Sequence, residues 1–204
     1  MTIKAVVFDA FGTLCEIGDK RRPYARLARA RRDRPGRLGT SAQLMSAPLS
    51  LRDAATALNV GLDDIDALER DLQAELASIR LYPEVPRVLR ALRAHGYALA
   101  VASNLALPYA APLQALLPFP LDAYAWSFEV GHVKPDPRLF EFVCRTLGVR
   151  PDEALMIGDT YADDTLGATR SGLAALHLDR GASPRAGSIR SLDAVLDHLA
   201  IPLD

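Results

Sequence analysis

The feature that most constrains the fold is an alternation of short apolar runs with longer amphipathic segments. The apolar runs are four to six residues long and are typical of buried strands. They predict strands at residues 3–8, 97–102, 123–127, 154–157 and 173–177. The amphipathic segments predict helices at residues 84–94, 106–116, 138–147, 162–170 and 192–199. Strands that alternate with helices of this length indicate a parallel sheet with helices on both faces.

One long segment interrupts this alternation. Residues 20–80 show helical patterns and no strand pattern, and the break in composition covers roughly residues 15–83. A chain of 204 residues is long for one small domain and short for two full ones. We therefore expect an α/β, Rossmann-like three-layer core made of residues 1–14 and 84–204. A small all-helical domain, residues 15–83, is expected to be inserted in it.

Composition and charge exclude several classes of function. The formal net charge is −1, so no overall field attracts the protein to nucleic acid or to a membrane surface. The stretch from Gly96 to Leu121 carries no formal charge, but its four prolines are incompatible with a membrane-spanning helix. The two cysteines lack metal or redox spacing, and the N-terminus reads directly into a strand rather than a secretion signal. We expect a cytoplasmic protein.

Four polar clusters occur at or near the ends of predicted strands. Asp9 follows the first strand, Ser103 and Asn104 follow the second, and Asp159 follows the strand at 154–157. Lys134 lies in the loop before the helix at 138–147. In open parallel sheets, ligands bind at the carboxyl ends of the strands. We expect these side chains to meet in one crevice, which requires the sheet to be parallel.

These segments together resemble the haloacid dehalogenase superfamily. The resemblance rests on FDAFGTL at residues 8–14, SN at 103–104, KP at 134–135 and GDTYADD at 158–164. Their order and separation also match, and the resemblance spans residues 3–180. The helical insert is similar to the helical cap that this family places between its first and second motifs.

The resemblance implies a hydrolase with a carboxylate nucleophile. Asp9 takes the position of the nucleophile, whose attack forms a covalent intermediate that water hydrolyses. Thr13 is expected to hydrogen-bond near the transferred group, and Ser103 to donate to an anionic oxygen of a small substrate. Asn104 is expected to shape the loop, and Lys134 to offset negative charge around the nucleophile.

A metal site is expected beside the nucleophile. The resemblance assigns its ligands to Asp9, the backbone carbonyl of Phe11, Asp159 and Asp164, whereas Asp163 is expected to be an exposed or capping residue. The carboxylates of Asp9 and Asp159 would repel each other unless a cation lies between them. Oxygen ligands beside a phosphate suit Mg²⁺, so Mg²⁺ is the expected cofactor.

The chain departs from the phosphatases of this family at Phe11. Their second aspartate, which protonates the leaving group, belongs at this position, and general acid–base help is worth roughly 100- to 10,000-fold in rate. Either the substrate has a good leaving group, or another residue such as His132 supplies the proton, or the reaction differs. The FDAFGTL segment is also similar to that of 2-haloacid dehalogenases, which need no such acid and no metal.

The acidic residues at 159–164 favour a phosphatase over a dehalogenase, because clustered carboxylates have no role in a metal-free enzyme. A third hypothesis is a binding or regulatory protein that kept the fold and lost turnover. The oligomeric state is not predicted by any pattern.

A basic cluster lies in the expected insert. Nine basic residues and one acid fall between Lys20 and Arg37. Such a cluster is more often a solvated helix face than a binding site. The sharper hypothesis is that Arg22, Arg26 or Arg29 reaches over Asp9 to hold an anionic substrate.

Overall fold

A five-stranded parallel sheet forms the centre of the structure, a computed structural model that describes residues 2–30, 41–60 and 62–202. In chain order the strands are β1 (Ala5–Phe8), β2 (Cys15–Ile17), β3 (Ile79–Leu81), β4 (Ala98–Ser103), β5 (Ala123–Trp126), β6 (Ala154–Gly158) and β7 (Ala174–His177). The sheet has the order β5-β4-β1-β6-β7, and every neighbouring pair in it is parallel. The predicted parallel α/β fold is confirmed.

The strand register brings the carboxyl ends of the central strands to one level. Phe8, the last residue of β1, lies opposite Val101 of β4 on one side and Ile157 of β6 on the other. Gly158, the last residue of β6, lies opposite His177 of β7. Residues that directly follow these strands therefore emerge along the same edge of the sheet.

Helices cover both faces of the sheet, as the alternating side chains of β1 require. The helices are α1 (Pro23–Ala30), α2 (Ser41–Leu44), α3 (Leu51–Ala57), α4 (Leu62–Ala77), α5 (Val85–Ala94), α6 (Ala110–Leu116), α7 (Ser127–Val130), α8 (Pro137–Leu147), α9 (Gly167–Arg170) and α10 (Asp193–His198). Val6 and Phe8 pack in one apolar cluster with α5 and α10. Ala5 and Val7 pack in a second cluster with α8 and α9. These two clusters are the interfaces of a three-layer core.

The segment between residues 15 and 83 contains α1–α4 and also a two-stranded antiparallel ribbon. Strand β2 pairs with β3, with Cys15 opposite Leu81 and Ile17 opposite Ile79. The expectation that no strand lies in residues 20–80 is therefore wrong for β3. A strand of three residues is too short to show the alternation from which strands are predicted. The basic residues at positions 31–37 lie outside the described residues.

Two predicted helices differ in their details from the expected pattern. The helix predicted at 106–116 begins as a 3-10 turn at Leu107–Tyr109 and continues as α6. The helix predicted at 162–170 begins as a π-helical turn at Tyr161–Leu166 and continues as α9. Within the described ranges, no helix is both long enough and apolar enough to cross a membrane.

The cluster beneath α8 generates a prediction about stability. Phe140 is fully buried in this cluster, whereas Phe142 on the same helix is half-buried. Phe140→Ala is expected to lower the free energy of unfolding by about 3–5 kcal/mol, because it removes a large apolar side chain and leaves a cavity. Denaturant unfolding measures the loss. Phe142→Ala is the matched control, and equal losses in the two variants would contradict this packing.

Candidate active site

The ammonium group of Lys134 lies between two carboxylates at the carboxyl edge of the sheet. Its Nζ donates to Oδ1 of Asp9 at 2.6 Å and to Oδ1 of Asp164 at 2.6 Å. All three side chains are buried, since Lys134 is 3% exposed, Asp9 7% and Asp164 1%. Charged groups are found at such depth only when they are paired. The expected convergence of Asp9, Lys134 and the acidic loop on one place is present in the structure.

Asn104 holds the backbone of the lysine loop. Its Oδ1 accepts a hydrogen bond from the Lys134 amide at 2.6 Å, and its Nδ2 donates to the Lys134 carbonyl at 3.0 Å. Asn104 follows β4 directly, so this pair of bonds ties the lysine loop to the sheet edge. The asparagine thereby fixes the position from which Lys134 reaches Asp9.

Three carboxylates form a cluster that could hold a metal ion. One oxygen from each of Asp9, Asp159 and Asp164 lies within 4.8 Å of the others. Asp164 is fixed further by the Thr160 amide, which donates to its Oδ2 at 2.9 Å. Asp159 is the exposed member of the three, so the cluster is open on one side. An all-oxygen donor set of this kind is typical of Mg²⁺ and other hard cations.

The pKa shifts at this cluster reflect its burial and its surplus of negative charge. Burial raises the pKa of Asp164 to about 6, although Lys134 opposes the rise. Burial and the charge of Asp9 raise the pKa of Asp159. Burial works to lower the pKa of Lys134, but the carboxylates of Asp9 and Asp164 outweigh it and the pKa is raised. One ammonium thus faces three acids, an arrangement that favours a further cation.

Two glycines make room for the acids. A side chain at Gly12, which has a φ of +89°, would overlap the carboxyl group of Asp159. A side chain at Gly158 would overlap the carboxyl group of Asp164. Only glycine adopts the Gly12 conformation without cost, and at both positions a Cβ would displace an acid.

The cavity beside Asp9, here the site cavity, has a volume of about 170 Å³. It is lined by Asp9, Phe11, Ser103, Asn104, Lys134, Asp159, Thr160, Asp163 and Asp164. Ser103 ends β4 and is 2% exposed. Thr13 is fully buried and is not part of this lining, yet its Oγ1 has no hydrogen-bond partner among the described residues. Its role stays a prediction.

A second cavity of about 320 Å³, here the apolar chamber, shares Phe11 and Asn104 with the site cavity. It is lined by Phe11, Ile17, Tyr24, Ala25, Leu44, Met45, Asn104, Leu105, Ala106 and Tyr109. Its walls come both from the segment 15–83 and from the loop after β4. An apolar cavity beside convergent polar groups is typical of a small-molecule site.

Two residues near the acidic segment 158–164 were missed by sequence reasoning. Asp163, expected to be exposed or capping, is half-buried and lines the site cavity. His177, at the end of β7, places its Nε2 3.0 Å from the carbonyl oxygen of Asp159. The spacing of the four histidines in the sequence carries no sign of this contact, which depends on the pairing of β6 with β7.

Arg180 is a third residue that the sequence did not reveal. Its Nε and Nη2 donate to the carbonyls of Gly12 and Thr13 at 3.2 and 3.1 Å. The guanidinium also lies 3.8 Å from the ring centroid of Tyr82 and pairs with Glu84 at 2.6 Å. One side chain therefore joins the loop after Asp9 to the point where the segment 15–83 returns to the core.

The predicted substrate arginines lie away from both cavities. Arg22, Arg26 and Arg29 are exposed, and none of them is among the described residues that line either cavity. Arg26 forms an ion pair with Asp71 on α4. These contacts fit a solvated helix face, and the binding of an anionic substrate by these arginines stays a prediction.

His132 lies outside the site cavity as well. Its Nδ1 is 3.6 Å from Oδ2 of Asp136, and it is not among the described residues that line either cavity. This position gives no support to its suggested use as a proton donor.

Comparison with known proteins relates the chain to both phosphatases and dehalogenases. The sequence pattern of the haloacid dehalogenase-like hydrolases matches residues 3–172. The phosphoserine phosphatase of Thermus thermophilus is 40% identical over 106 residues, which cover 51% of this chain and 43% of that protein. The (S)-2-haloacid dehalogenase 1 of a Pseudomonas species is 30% identical over 199 residues, or 90% of this chain and 87% of that protein.

The phosphatase matches are partial, whereas the fold matches throughout. The matches span less than half the length of the phosphoserine phosphatase and of two archaeal glyceraldehyde 3-phosphate phosphatases. The crystal structure of a phosphatase from Thermococcus onnurineus superposes with a TM-score of 0.65 at 21% identity. It covers 99% of this chain and 100% of that one. At this identity the structural likeness concerns the fold alone.

The buried lysine generates a prediction about stability and pH. Lys134→Met, studied without divalent cations, is expected to lower the free energy of unfolding by about 3–5 kcal/mol at pH 8. Loss of the ammonium is expected to raise the pKa of Asp164 beyond its value of about 6. A folded-state carboxyl pKa above its unfolded value destabilises the ionised form, so stability falls as pH rises from 5 to 8. Urea unfolding at both pH values measures the difference.

Lys4→Met is the matched control for this variant. Lys4 is exposed and pairs with Glu153 at 2.7 Å, so its loss is expected to cost about 0–1 kcal/mol. An equal loss for Lys134→Met at pH 5 and pH 8 would show that the ammonium does not compensate ionised acids.

Proposed function

The chain belongs to the haloacid dehalogenase-like hydrolase family, and we propose that it is a Mg²⁺-dependent phosphatase of a small phosphorylated molecule. The observation that carries this proposal is the cluster of Asp9, Asp159 and Asp164 around Lys134. Three carboxylates against one ammonium leave two negative charges when all are ionised, which a dication offsets. A metal-free dehalogenase has no use for this surplus.

The proposed metal ligands are Asp9, Asp159, Asp164 and the backbone carbonyl of Phe11. The open side of the cluster at Asp159 leaves room for water and for a phosphate oxygen, both of which Mg²⁺ commonly retains as ligands. Bound there, the cation supplies positive charge between the two anions that must approach each other, the Asp9 carboxylate and the phosphate.

Asp9 is the proposed nucleophile. Its backbone amide donates to the Ile157 carbonyl at 2.8 Å, and Lys134 holds one of its carboxylate oxygens, so the side chain is well oriented. Attack on phosphorus forms an aspartyl phosphate as the bond from phosphorus to the leaving-group oxygen breaks, with the electron pair leaving on that oxygen, and water then cleaves the intermediate. The buried hydroxyl of Ser103, which lines the site cavity, is the proposed donor to an anionic oxygen of the substrate. The hydroxyl of Thr13, which has no partner among the described residues, is proposed to hydrogen-bond near the transferred group.

Residues 15–83 are proposed to act as a cap over this site. In support, the apolar chamber takes Ile17, Tyr24 and Leu44 from this segment and Leu105 and Tyr109 from the core. The ribbon of β2 and β3 lies where the segment leaves the core and rejoins it. The corresponding core domain is residues 1–14 and 84–204.

A 2-haloacid dehalogenase is the second candidate. Phe11 at the position of the usual acid favours it, as does the dehalogenase relative that aligns along 90% of this chain. In such a reaction Asp9 attacks carbon and halide departs without a proton. The three clustered acids, Asp9, Asp159 and Asp164, argue against a metal-free dehalogenase. For this reason we favour the phosphatase.

Phosphatase activity and its dependence on Mg²⁺ can be tested directly. Phosphate release from a panel of phosphate monoesters is expected with Mg²⁺ and is lost in EDTA. Asp9→Asn is expected to abolish release, because the amide is not a nucleophile for phosphorus. Changes to groups just behind metal ligands weaken metal binding by roughly 10- to 100-fold. Asp159→Asn removes a ligand itself, so it is expected to weaken Mg²⁺ binding by at least about 100-fold.

The control for these variants is Asp152→Asn, which alters an acid in the 3-10 turn before β6. It is expected to keep full activity and full Mg²⁺ affinity. Halide release from 2-haloacids in EDTA, with no phosphate release from any ester, would replace the first candidate with the second. Intact biological function in Asp9→Asn would instead favour a binding protein without turnover.

The second prediction concerns pH. Asp164 has a pKa of about 6 in the metal-free protein, and a protonated carboxyl cannot ligate a cation. Mg²⁺ affinity is therefore expected to rise roughly tenfold between pH 5 and pH 7 and to level off above pH 7. Calorimetric titration measures it. Asp164→Asn should remove this slope, and an affinity in the wild type that does not change with pH would contradict the assignment of Asp164.

A further inference from the structure

The apolar chamber has a lining without charge. Among the described residues, no lysine, arginine, aspartate or glutamate side chain lines it. It borders the site cavity, with which it shares Phe11 and Asn104 in its lining. A substrate whose phosphate lies at Asp9 therefore meets a strongly polar wall on one side of the bond to be cleaved and an apolar wall on the other.

The polar side-chain atoms that line the chamber already form hydrogen bonds within the protein. The Tyr24 hydroxyl donates to the Leu49 carbonyl at 3.2 Å, and the Tyr109 hydroxyl donates to Oε2 of the buried Glu75 at 2.5 Å. The Asn104 amide group is used by the lysine loop. Hydroxyl-rich or charged substrate groups would have to break these bonds or stay unpaired, which is costly against apolar walls.

Aromatic rings form one wall of the chamber. The Phe11 and Tyr109 rings meet edge to face with centroids 5.8 Å apart, and Tyr24 and Tyr109 lie 6.1 Å apart. Aromatic pairs gain from such geometries beyond the area that they bury. An apolar cavity of roughly 150 Å³ holds benzene, so a chamber of about 320 Å³ accommodates a substituted ring.

The same wall offers no proton to the leaving group. Phe11 has none, and burial raises the pKa of Tyr109, whose proton is held by Glu75. An aliphatic alkoxide is about as basic as hydroxide, the conjugate base of water with a pKa of 15.7. A phenolate is far less basic, since a phenol such as tyrosine has a pKa of about 10. An aryl leaving group is thus the kind that departs without an acid.

We propose that the substrates are aryl phosphate monoesters, with the phosphate at Asp9 and the ring in the apolar chamber. This inference rests on the proposed phosphatase function and narrows it. The shape and apolar lining of the chamber fit a ring. Because Phe11 supplies no acid, the leaving group must depart as a weakly basic oxyanion, as a phenolate does.

The reaction balances without a proton donor in the first step. A carboxylate oxygen of Asp9 bonds to phosphorus as the bond from phosphorus to the aryl oxygen breaks, and the electron pair leaves on the phenolate. Water then attacks the phosphorus of the aspartyl phosphate and restores the Asp9 carboxylate. The dihydrogen phosphate released passes a proton to the phenolate, so the products are a phenol and hydrogen phosphate.

Phenyl phosphate and cyclohexyl phosphate are the probes for a test on the wild-type enzyme. The two are alike in size and apolar character and differ in the basicity of the leaving group. With Mg²⁺ present, kcat/KM for phenyl phosphate is expected to exceed that for cyclohexyl phosphate by at least about 100-fold, the lower figure for general acid help. Within a series of substituted phenyl phosphates, kcat/KM should fall steadily as the pKa of the phenol rises.

A pair of variants at Phe11 separates leaving-group chemistry from fit. Phe11→Asp supplies an acid and is expected to narrow the gap between the two probes by at least tenfold, chiefly by raising kcat/KM for cyclohexyl phosphate. Phe11→Asn introduces a side chain of nearly the same shape as aspartate but without its acid. It should leave the difference in kcat/KM between the two probes large. A gap that responds equally to both variants would overturn the argument from the missing acid.

A second pair tests the place of the ring. Ala25→Leu fills part of the chamber from α1 and is expected to lower kcat/KM for bulky aryl phosphates at least tenfold, mainly through KM. Ala115→Leu on α6, at an exposed alanine outside the described lining, is the control and should match the wild type. Loss of aryl phosphate turnover in both, or in neither, would overturn the placement.

The outcomes distinguish the two levels of the proposal. No phosphate release from any monoester would end the phosphatase assignment itself. Phosphate release at equal rates from phenyl and cyclohexyl phosphate would leave the phosphatase in place and overturn the aryl specificity.

Discussion

The ammonium of Lys134, shared between the buried carboxylates of Asp9 and Asp164, is the interaction on which the rest of the site depends. Asp9 and Lys134 are 125 positions apart, so no local structure brings them together. The parallel sheet, with the ends of β1, β4 and β6 at one level, brings Lys134 Nζ to 2.6 Å from Oδ1 of Asp9. Without this cation, three acids gathered at one edge would repel one another and protonate rather than ionise.

Sequence reasoning anticipated the parts of the site that depend on this edge. Asp9, Ser103 and Asp159 each lie directly at the end of a buried run, and in a parallel sheet that position alone predicts their proximity. Lys134 was harder, because it lies in a loop rather than after a strand. Its position follows from the two hydrogen bonds of Asn104, and here the family resemblance supplied what the pattern of the chain does not carry.

The parts that escaped prediction depend on tertiary contacts between side chains of no regular spacing. Strand β3 has three residues and no periodicity to detect. Arg180, in the loop after β7, is one arginine among many, and its place over Gly12 and Thr13 becomes visible only when β7 joins the sheet edge. The apolar chamber likewise escaped prediction. It forms only where the loop after β4 meets the segment 15–83, and neither stretch of sequence indicates a cavity by itself.

The two glycines beside the acids have a consequence for how this protein can change. The methyl group of an alanine at position 12 or 158 would occupy the space of a carboxyl, so the acids at 159 and 164 can be inherited only with glycine at both positions. If a lineage exchanged the acids for smaller neutral residues, Gly158 would be released from selection, whereas Gly12 would still be held by its positive φ. Among relatives, the residue at position 158, which does no chemistry itself, should therefore report whether a member has kept the acid at position 164.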